Sequence, residues 1–463
     1  MKKLSTLKKK DTIKNGLELI KGNFGAIICI VENKKKLLGV VTEGDLRRAI
    51  INGDSLDTKL EKVMNTKPTY IYENELKSKK ISKSNLNLGA MMDKPLIIPI
   101  VNKYMELLYL LKTEDLFEIF QNKITKKYLS GVKKPHILVV GGAGYIGSVL
   151  TSFLLKKGWM VKVVDKLLYE KNSLNKFKKN KNFTFIKKDI CDLTVQIEAI
   201  KNIDCVVFLA EIVGDPSCAA KPEDALKTNY LAVSSLANLC SYMNINRFIY
   251  TSSCSVYGAN NNSDDFLNEQ SSLNPVSHYA RIKLMSEKIL LSQSNYFFSP
   301  TILRLATVCG PSLRNRFDLV VNTFARNAFF KGKIKINGGS QWRPNVHVED
   351  VAEAIIKVIE APIEKVENQI FNLCNDSQNF MINELAEKTK RIFPDCKITK
   401  SNKNFDKRDY KVVSNKIKKI INFQANKTVE NVLIEFKKTF KKNKNFNAYQ
   451  KKFSNIETLI NES

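Results

Sequence analysis

The chain has 463 residues, a hydrophobic fraction of 43% and a formal net charge of +29 at pH 7. That length allows about two to four domains of roughly 100–200 residues, each able to bury a core. Of its 75 basic residues only 11 are arginine, and the lysines are spread along the chain instead of being clustered between aromatics, which argues against a nucleic-acid reader and for a solvated surface that attracts anionic substrates.

In chain order, the stretch from Leu4 to Asp115 reads as a small α/β unit that occurs roughly twice. A helix (TIKNGLELIKG), a strand (FGAIICIVEN), a turn (NKKK), a strand (LLGVVTEGD) and a helix (LRRAIING) form the first pass. KLEKVMN and PTYIYEN begin the second, which continues through LGAMM, PLIIPIV, a turn at Asn102-Lys103 and YMELLYLLKTEDL. A boundary falls near Ile124 to Pro135, a basic stretch with Gly and Pro. From His136, strands and helices alternate: HILVVGG, a helix to Gly158, MVKVVDK, NFTFIKKDI, a helix to Asn202, DCVVFLAE, a helix across Ala225 to Met243, then RFIYTSS. That spacing predicts a parallel, doubly wound α/β sheet. Ile137 to Leu155 is uncharged and nearly long enough to span a bilayer. It contains four glycines and divides into ILVV and SVLTSFLL, so a βα unit explains it better. The polar stretch from Asn443 reads as a surface helix or frayed tail, which gives domains at 1–130, 131–440 and 441–463. Nine cysteines with no CxxC pair, and an opening MKKLSTLKKKDTIKNG without an apolar segment, predict free, mostly buried thiols in a cytoplasmic protein.

Gly141, Gly144 and Gly147 stand in VVGGAGYIGSVL, after a strand and at the opening of a helix. Such glycines permit a tight turn, close approach of a pyrophosphate and close helix–strand packing, with the helix start offering free N–H groups. Gly141, Gly144, Tyr145, Ile146 and Gly147 are therefore expected at the cofactor. The next strand ends in Asp165, whose carboxylate accepts from ribose hydroxyls and repels a ribose phosphate, favouring NAD over NADP. Tyr279 and Lys283, in HYARIK, share one helix face. A phenol with a reference pKa of about 10 is a poor base until a nearby ammonium favours its phenolate.

GGAGYIG, the DIxD run Asp189 to Asp192, FLA at Phe208 to Ala210, TNYLAV at Thr228 to Val233 and TSSCSVYG together resemble the extended short-chain dehydrogenase/reductases. Within them the resemblance is to the nucleotide-sugar epimerase/dehydratase branch, over about two thirds of the chain. It implies a Rossmann-like sheet with a small C-terminal substrate subdomain, and NAD as cofactor. It implies that Asp189 and Ile190 lie against the adenine and that Ala210 and Asn229 line the cofactor cleft. Tyr279 would exchange a proton with a sugar hydroxyl while the nicotinamide takes hydride, and Lys283 would also bind the nicotinamide ribose. Ser253 aligns with the family Ser/Thr that hydrogen-bonds the reacting hydroxyl, with Ser252 as the near rival. Sugar 4,6-dehydratases of this branch carry acidic residues at the next two positions. Cys254 and Ser255 stand there in this chain, which disfavours dehydration and decarboxylation. Asn322, Arg343 and Arg408 match positions that bind the nucleotide part of the substrate, and guanidinium forks suit a diphosphate. His347 reads as structural and Asp350 as the N-cap of VAEAIIKVIE. Three histidines without ligand spacing give no metal site. IVGDPS, Ile212 to Ser217, departs from the loop of typical galactose epimerases, which leaves the sugar open.

GVVTEGDLRRAI resembles the end of a cystathionine-β-synthase (CBS) domain, and SLDTKLEKVM continues the likeness. The resemblance implies that Thr42 and Asp45 hold the ribose and phosphate of an adenine nucleotide. In the second copy Asp115 is present but Lys112 stands where Thr is expected. Residues 1–130 thus read as a CBS pair, regulatory or dimerising, with at most one nucleotide site and a homodimer as the expected assembly. The function expected is NAD-dependent, 4-epimerase-like chemistry on a nucleotide-diphosphate sugar for surface polysaccharide synthesis. The alternatives are a keto-sugar reductase or dehydratase, or a non-catalytic nucleotide-sensing or nucleic-acid-binding scaffold. The complete Ser253, Tyr279 and Lys283 set argues against the last.

Overall fold

In the computed structural model the described residues are 5–20, 27–78, 97–112, 135–258, 266–295, 298–401, 408–443 and 446–460. LGAMM, Asp115 and the boundary stretch 124–134 lie outside them. The chain divides into two compact units, Met1–Gly131 and Val132–Ser463.

In the first unit, Thr6–Leu7 runs parallel to Ile27–Val31, which pairs antiparallel with Leu37–Thr42. Ile71–Tyr72, Ile97–Val101 and Leu107–Lys112 repeat that arrangement. Successive side chains of a strand point to opposite faces, and Ile27–Val31 is apolar on both. Ile28 and Ile30 pack with Ile13, Leu46 and Leu60. Cys29 packs with Leu37, Val40, Val101 and Leu107, joining the two repeats.

The second unit is built on seven parallel strands in the order Ile370–Leu373, Ser299–Leu305, Arg247–Ser253, Cys205–Phe208, His136–Val140, Met160–Val164 and Phe183–Ile186. The runs HILVV and CVVF are unbroken because parallel strands are covered on both faces. Helices Tyr145–Lys156 and Val348–Glu360 pack on one face. Leu193–Ala199, Ala232–Tyr242 and the end of His278–Ser292 pack on the other. Chain order reverses between His136–Val140 and Cys205–Phe208, and a crevice opens beyond the carboxyl ends of strands at such a switch point. The uncharged stretch does divide into a strand and a helix. Among the described residues no helix is long and apolar enough to cross a membrane.

Three expectations change. The helix expected across Ala225 to Met243 contains a π-helical turn at Lys227–Leu231, a device common at functional sites. His347, not Asp350, caps helix Val348–Glu360: its Nδ1 accepts from the Glu349 N–H at 3.0 Å. Asp350 sits inside the first turn and accepts from the Lys427 N–H. The stretch read as a polar tail is not one. Phe446 and Phe453 join Phe317, Phe436 and Phe440 in an aromatic cluster, and Ala448 and Leu459 are buried. Its few apolar residues are hidden among Lys and Asn, and a short 3-10 turn and a six-residue helix carry no clear period.

Candidate active site

A cavity of about 580 Å³ lies at the carboxyl ends of the central strands, within the range of small-molecule sites. Gly141, Gly144, Tyr145, Ile146 and Gly147 form one wall. Gly141 has φ 83°, and a Cβ there would sit 2.5 Å from the Ala210 nitrogen. A Cβ on Gly147 would fall 2.3 Å from the Gly141 carbonyl oxygen. Helix Tyr145–Lys156 has no side-chain cap at Gly144, so no protein group competes for its first N–H groups. This bare, close-packed loop fits a dinucleotide pyrophosphate.

Asp165, Asp189, Ile190, Ala210 and Asn229 are not among the lining residues. Asp165 braces the loop by accepting from the Ala143 and Leu167 N–H groups. Asp189 pairs with Lys166 at 3.2 Å, and Ile190 is buried in the core. Asn229, in the π-helical turn, accepts from the Ile212 N–H and donates to the Ile212 carbonyl, both at 2.9 Å. It shapes the 209–217 loop instead of facing the cavity.

Ser277 caps helix His278–Ser292, accepting from the Ala280 N–H. The cap places Tyr279 and, one turn on, Lys283 in the cavity wall. Lys283 Nζ lies 5.6 Å from the centre of the Tyr279 ring. It donates to the Thr251 carbonyl and pairs with the Glu211 carboxylate, both side chains being buried. Tyr250 Oη donates to the same carboxylate at 2.8 Å. Sequence reasoning missed Glu211, although a lone acid directly after CVVFLA was a signal. Burial, and after it the Glu211 charge, push the Tyr279 phenol well above its ordinary value. Burial lowers the Lys283 ammonium and Glu211 pulls it back.

Ser253 lines the cavity and accepts from the Ser255 N–H at 3.1 Å. Ser252 also lines it, but its hydroxyl donates to Glu287, which clamps Arg304 through both carboxylate oxygens. The Cys254 thiol is buried and donates to the Arg304 carbonyl. The Ser255 hydroxyl is buried, has no hydrogen-bond partner among the described residues and does not line the cavity.

Arg343 and Arg408 both reach the cavity. Arg343 donates to the Trp342 and Arg408 carbonyls, and Arg408 pairs with Asp215 of the IVGDPS loop at 3.2 Å. Asn322 does not reach it. Its amide accepts from the Gly310 N–H and donates to Tyr145 Oη and the Arg316 carbonyl. Its oxygen and one donor hold the 310–316 loop and its other donor meets Tyr145, so its amide is spent on bonds within the protein. Arg314 and Arg316 line the cavity and were missed. An RNR run in a chain with 11 arginines was the available signal. In the first unit, Thr42 and Asp45 form a reciprocal capping box on helix Glu43–Ile51, and Arg48 pairs with Asp45.

The model of the NAD-dependent epimerase/dehydratase family matches residues 137–374, and a CBS-domain model matches residues 1–52. UDP-glucuronate 4-epimerase of Thermodesulfobacterium geofontis is 28% identical over 308 residues, covering 64% of this chain and 93% of its own. dTDP-D-glucose 4,6-dehydratase of Dictyostelium discoideum is 30% identical over 273 residues, covering 55% of this chain and 61% of its own. Among solved structures, the chain is similar to UDP-glucose 4-epimerase of Thermotoga maritima, with a TM-score of 0.59 and 26% identity over 66% of this chain and 99% of that one.

Proposed function

The chain belongs to the NAD-dependent epimerase/dehydratase family, and from that premise we propose that it epimerises a nucleotide-diphosphate sugar, removing a hydride from a sugar carbon and returning it to the other face. The observation that carries this is the convergence of Ser253, Tyr279 and Lys283 on one cavity with the glycine loop and Arg343 and Arg408.

The loop from Gly141 to Gly147 would hold NAD, which when bound supplies the hydride acceptor. Tyr279 Oη takes the proton of the sugar hydroxyl as the hydride leaves and gives it back on return. Ser253 hydrogen-bonds that hydroxyl and fixes its direction. Lys283 steadies the phenolate. Arg343 and Arg408 hold the diphosphate, so the sugar is presented to Tyr279 without being released between the two half-reactions.

Epimerisation is favoured over dehydration because neither Cys254 nor Ser255 offers a carboxyl group. The cavity carboxylate nearest the chemistry, Glu211, is already engaged by Lys283 and Tyr250. The amino-terminal unit would regulate or dimerise the enzyme, with Thr42 and Asp45 as candidate adenine-nucleotide contacts. Surface polysaccharide synthesis in the cytoplasm is the setting this chemistry suits.

Proton NMR of the protein with catalytic NAD and a panel of UDP-, GDP- and dTDP-sugars tests the reading. A second sugar-proton signature from one substrate, with no net change in cofactor, is expected. Turnover only with stoichiometric NADH and a keto sugar would replace it with a reductase.

A further inference from the structure

The segment 446–460 reaches the cavity as well as the core. Asn455 and Ile456 line it, and Leu459 packs in one cluster with Tyr279 and Ile282. Asn455 is 2% exposed and makes three long-range hydrogen bonds. Its N–H donates to Asp318 Oδ2 at 3.0 Å, its Nδ2 donates to the Val213 carbonyl, and its Oδ1 accepts from Arg314 Nη2 at 2.6 Å. One side chain thus ties the 209–217 loop to the 312–318 loop across the substrate side.

Arg314 is the unusual member of that group. It is 2% exposed, stacks on the Tyr169 ring at 4.4 Å, and its Nε is buried with no hydrogen-bond partner among the described residues. A buried guanidinium is ordinarily matched by a carboxylate. Among the described residues no carboxylate pairs with Arg314: Asp318 is gripped by Arg316 through both oxygens, at 3.0 and 3.1 Å, and Asp165, which also feels the Arg314 charge, is spent on the Ala143 and Leu167 N–H groups. The hydrogen-bond partner that Asn455 provides for Arg314 is neutral. Burial and the charge of Arg316 push the Arg314 guanidinium down to about 10, against the pull of Asp318.

We infer that Asn455 is a positioning residue of the substrate pocket, which holds Arg314 so that its guanidinium, not ion-paired within the described residues, binds an anionic oxygen group of the substrate. This rests on the nucleotide-sugar reading above. Asparagine suits the role because an amide orients the guanidinium without neutralising it, whereas a carboxylate would consume the charge.

The test is binding of UDP, UDP-glucose and UDP-glucuronic acid to the full chain loaded with NAD, for the unaltered protein, Asn455→Asp and Asn455→Ala. The near-isosteric Asn455→Asp neutralises Arg314, and its ligand affinity falls about tenfold or more while NAD affinity and melting temperature hold. Loss for all three ligands puts Arg314 at the diphosphate. Loss confined to UDP-glucuronic acid puts it at a sugar carboxylate. Asn455→Ala frees Arg314 without neutralising it and weakens the same ligands to a smaller degree. Equal binding by Asn455→Asp and the unaltered protein overturns the inference. So does a loss of NAD affinity or melting temperature in step with ligand affinity, which would make Asn455 merely structural. If the unaltered protein binds none of the three ligands and none of their GDP and dTDP counterparts, the nucleotide-sugar reading itself fails.

Discussion

The cofactor side and the substrate side of the cavity are assembled in different ways. The cofactor side comes from the first half of the second unit, where the loop after His136–Val140, the ends of Cys205–Phe208 and Arg247–Ser253, and helix His278–Ser292 reach the crevice. The substrate side gathers Asp215, Arg314, Arg343, Arg408 and Asn455, with one of its hydrogen bonds joining residues 242 positions apart. Local backbone geometry therefore fixes the first, while the second exists only once the whole unit has closed. Chemistry common to a family can sit on the first, and recognition of a particular sugar can vary on the second.

The sharpest way to break that division is Tyr279→Phe. Turnover is expected to fall about 10²–10⁴-fold, with NAD affinity and melting temperature unchanged. Steady-state kinetics beside a cofactor titration check it, and retained turnover would remove the chemistry from the cofactor side. Next in size is Glu287→Ala, behind Ser252. It would leave the buried Arg304 guanidinium without its carboxylate and cost about 3–5 kcal/mol of stability, read by denaturant unfolding.

Glu211→Gln sharpens the comparison from inside the catalytic set. The Glu211 charge raises the Tyr279 phenol, so its removal lets the phenolate form at lower pH. The limb on which activity rises with pH should then move to lower pH. A limb that stays in place would show that the Lys283 partnership screens Glu211 from Tyr279. The smallest effect is expected away from the cavity. Thr42→Ala removes the cap of helix Glu43–Ile51 and should cost about 1 kcal/mol within the first unit, visible in hydrogen exchange, with turnover unchanged.

This division also explains what could be read from the chain alone. The glycine loop and the Tyr279–Lys283 pair follow from helix period and strand order, which leave a mark at short spacing. Glu211 leaves almost none, because an acid at a strand end looks like any loop residue until Lys283 and Tyr250 close on it. Asn322 matched a family position, yet its amide is consumed by the 310–316 loop. Composition concealed residues 446–460, since four of the first five residues from Asn443 are Lys or Asn, and only the packing of Phe446 and Phe453 reveals that the segment belongs to the core and carries Asn455 to the site.

The most direct measurement is turnover of the identified nucleotide sugar in D2O with catalytic NAD, with the reacting carbon followed by proton NMR. Removal and return of one hydride inside a closed site should leave the original hydrogen on that carbon, with no deuterium gained and no net NADH. Deuterium at that carbon, or turnover that stops when NADH is not resupplied, would contradict it.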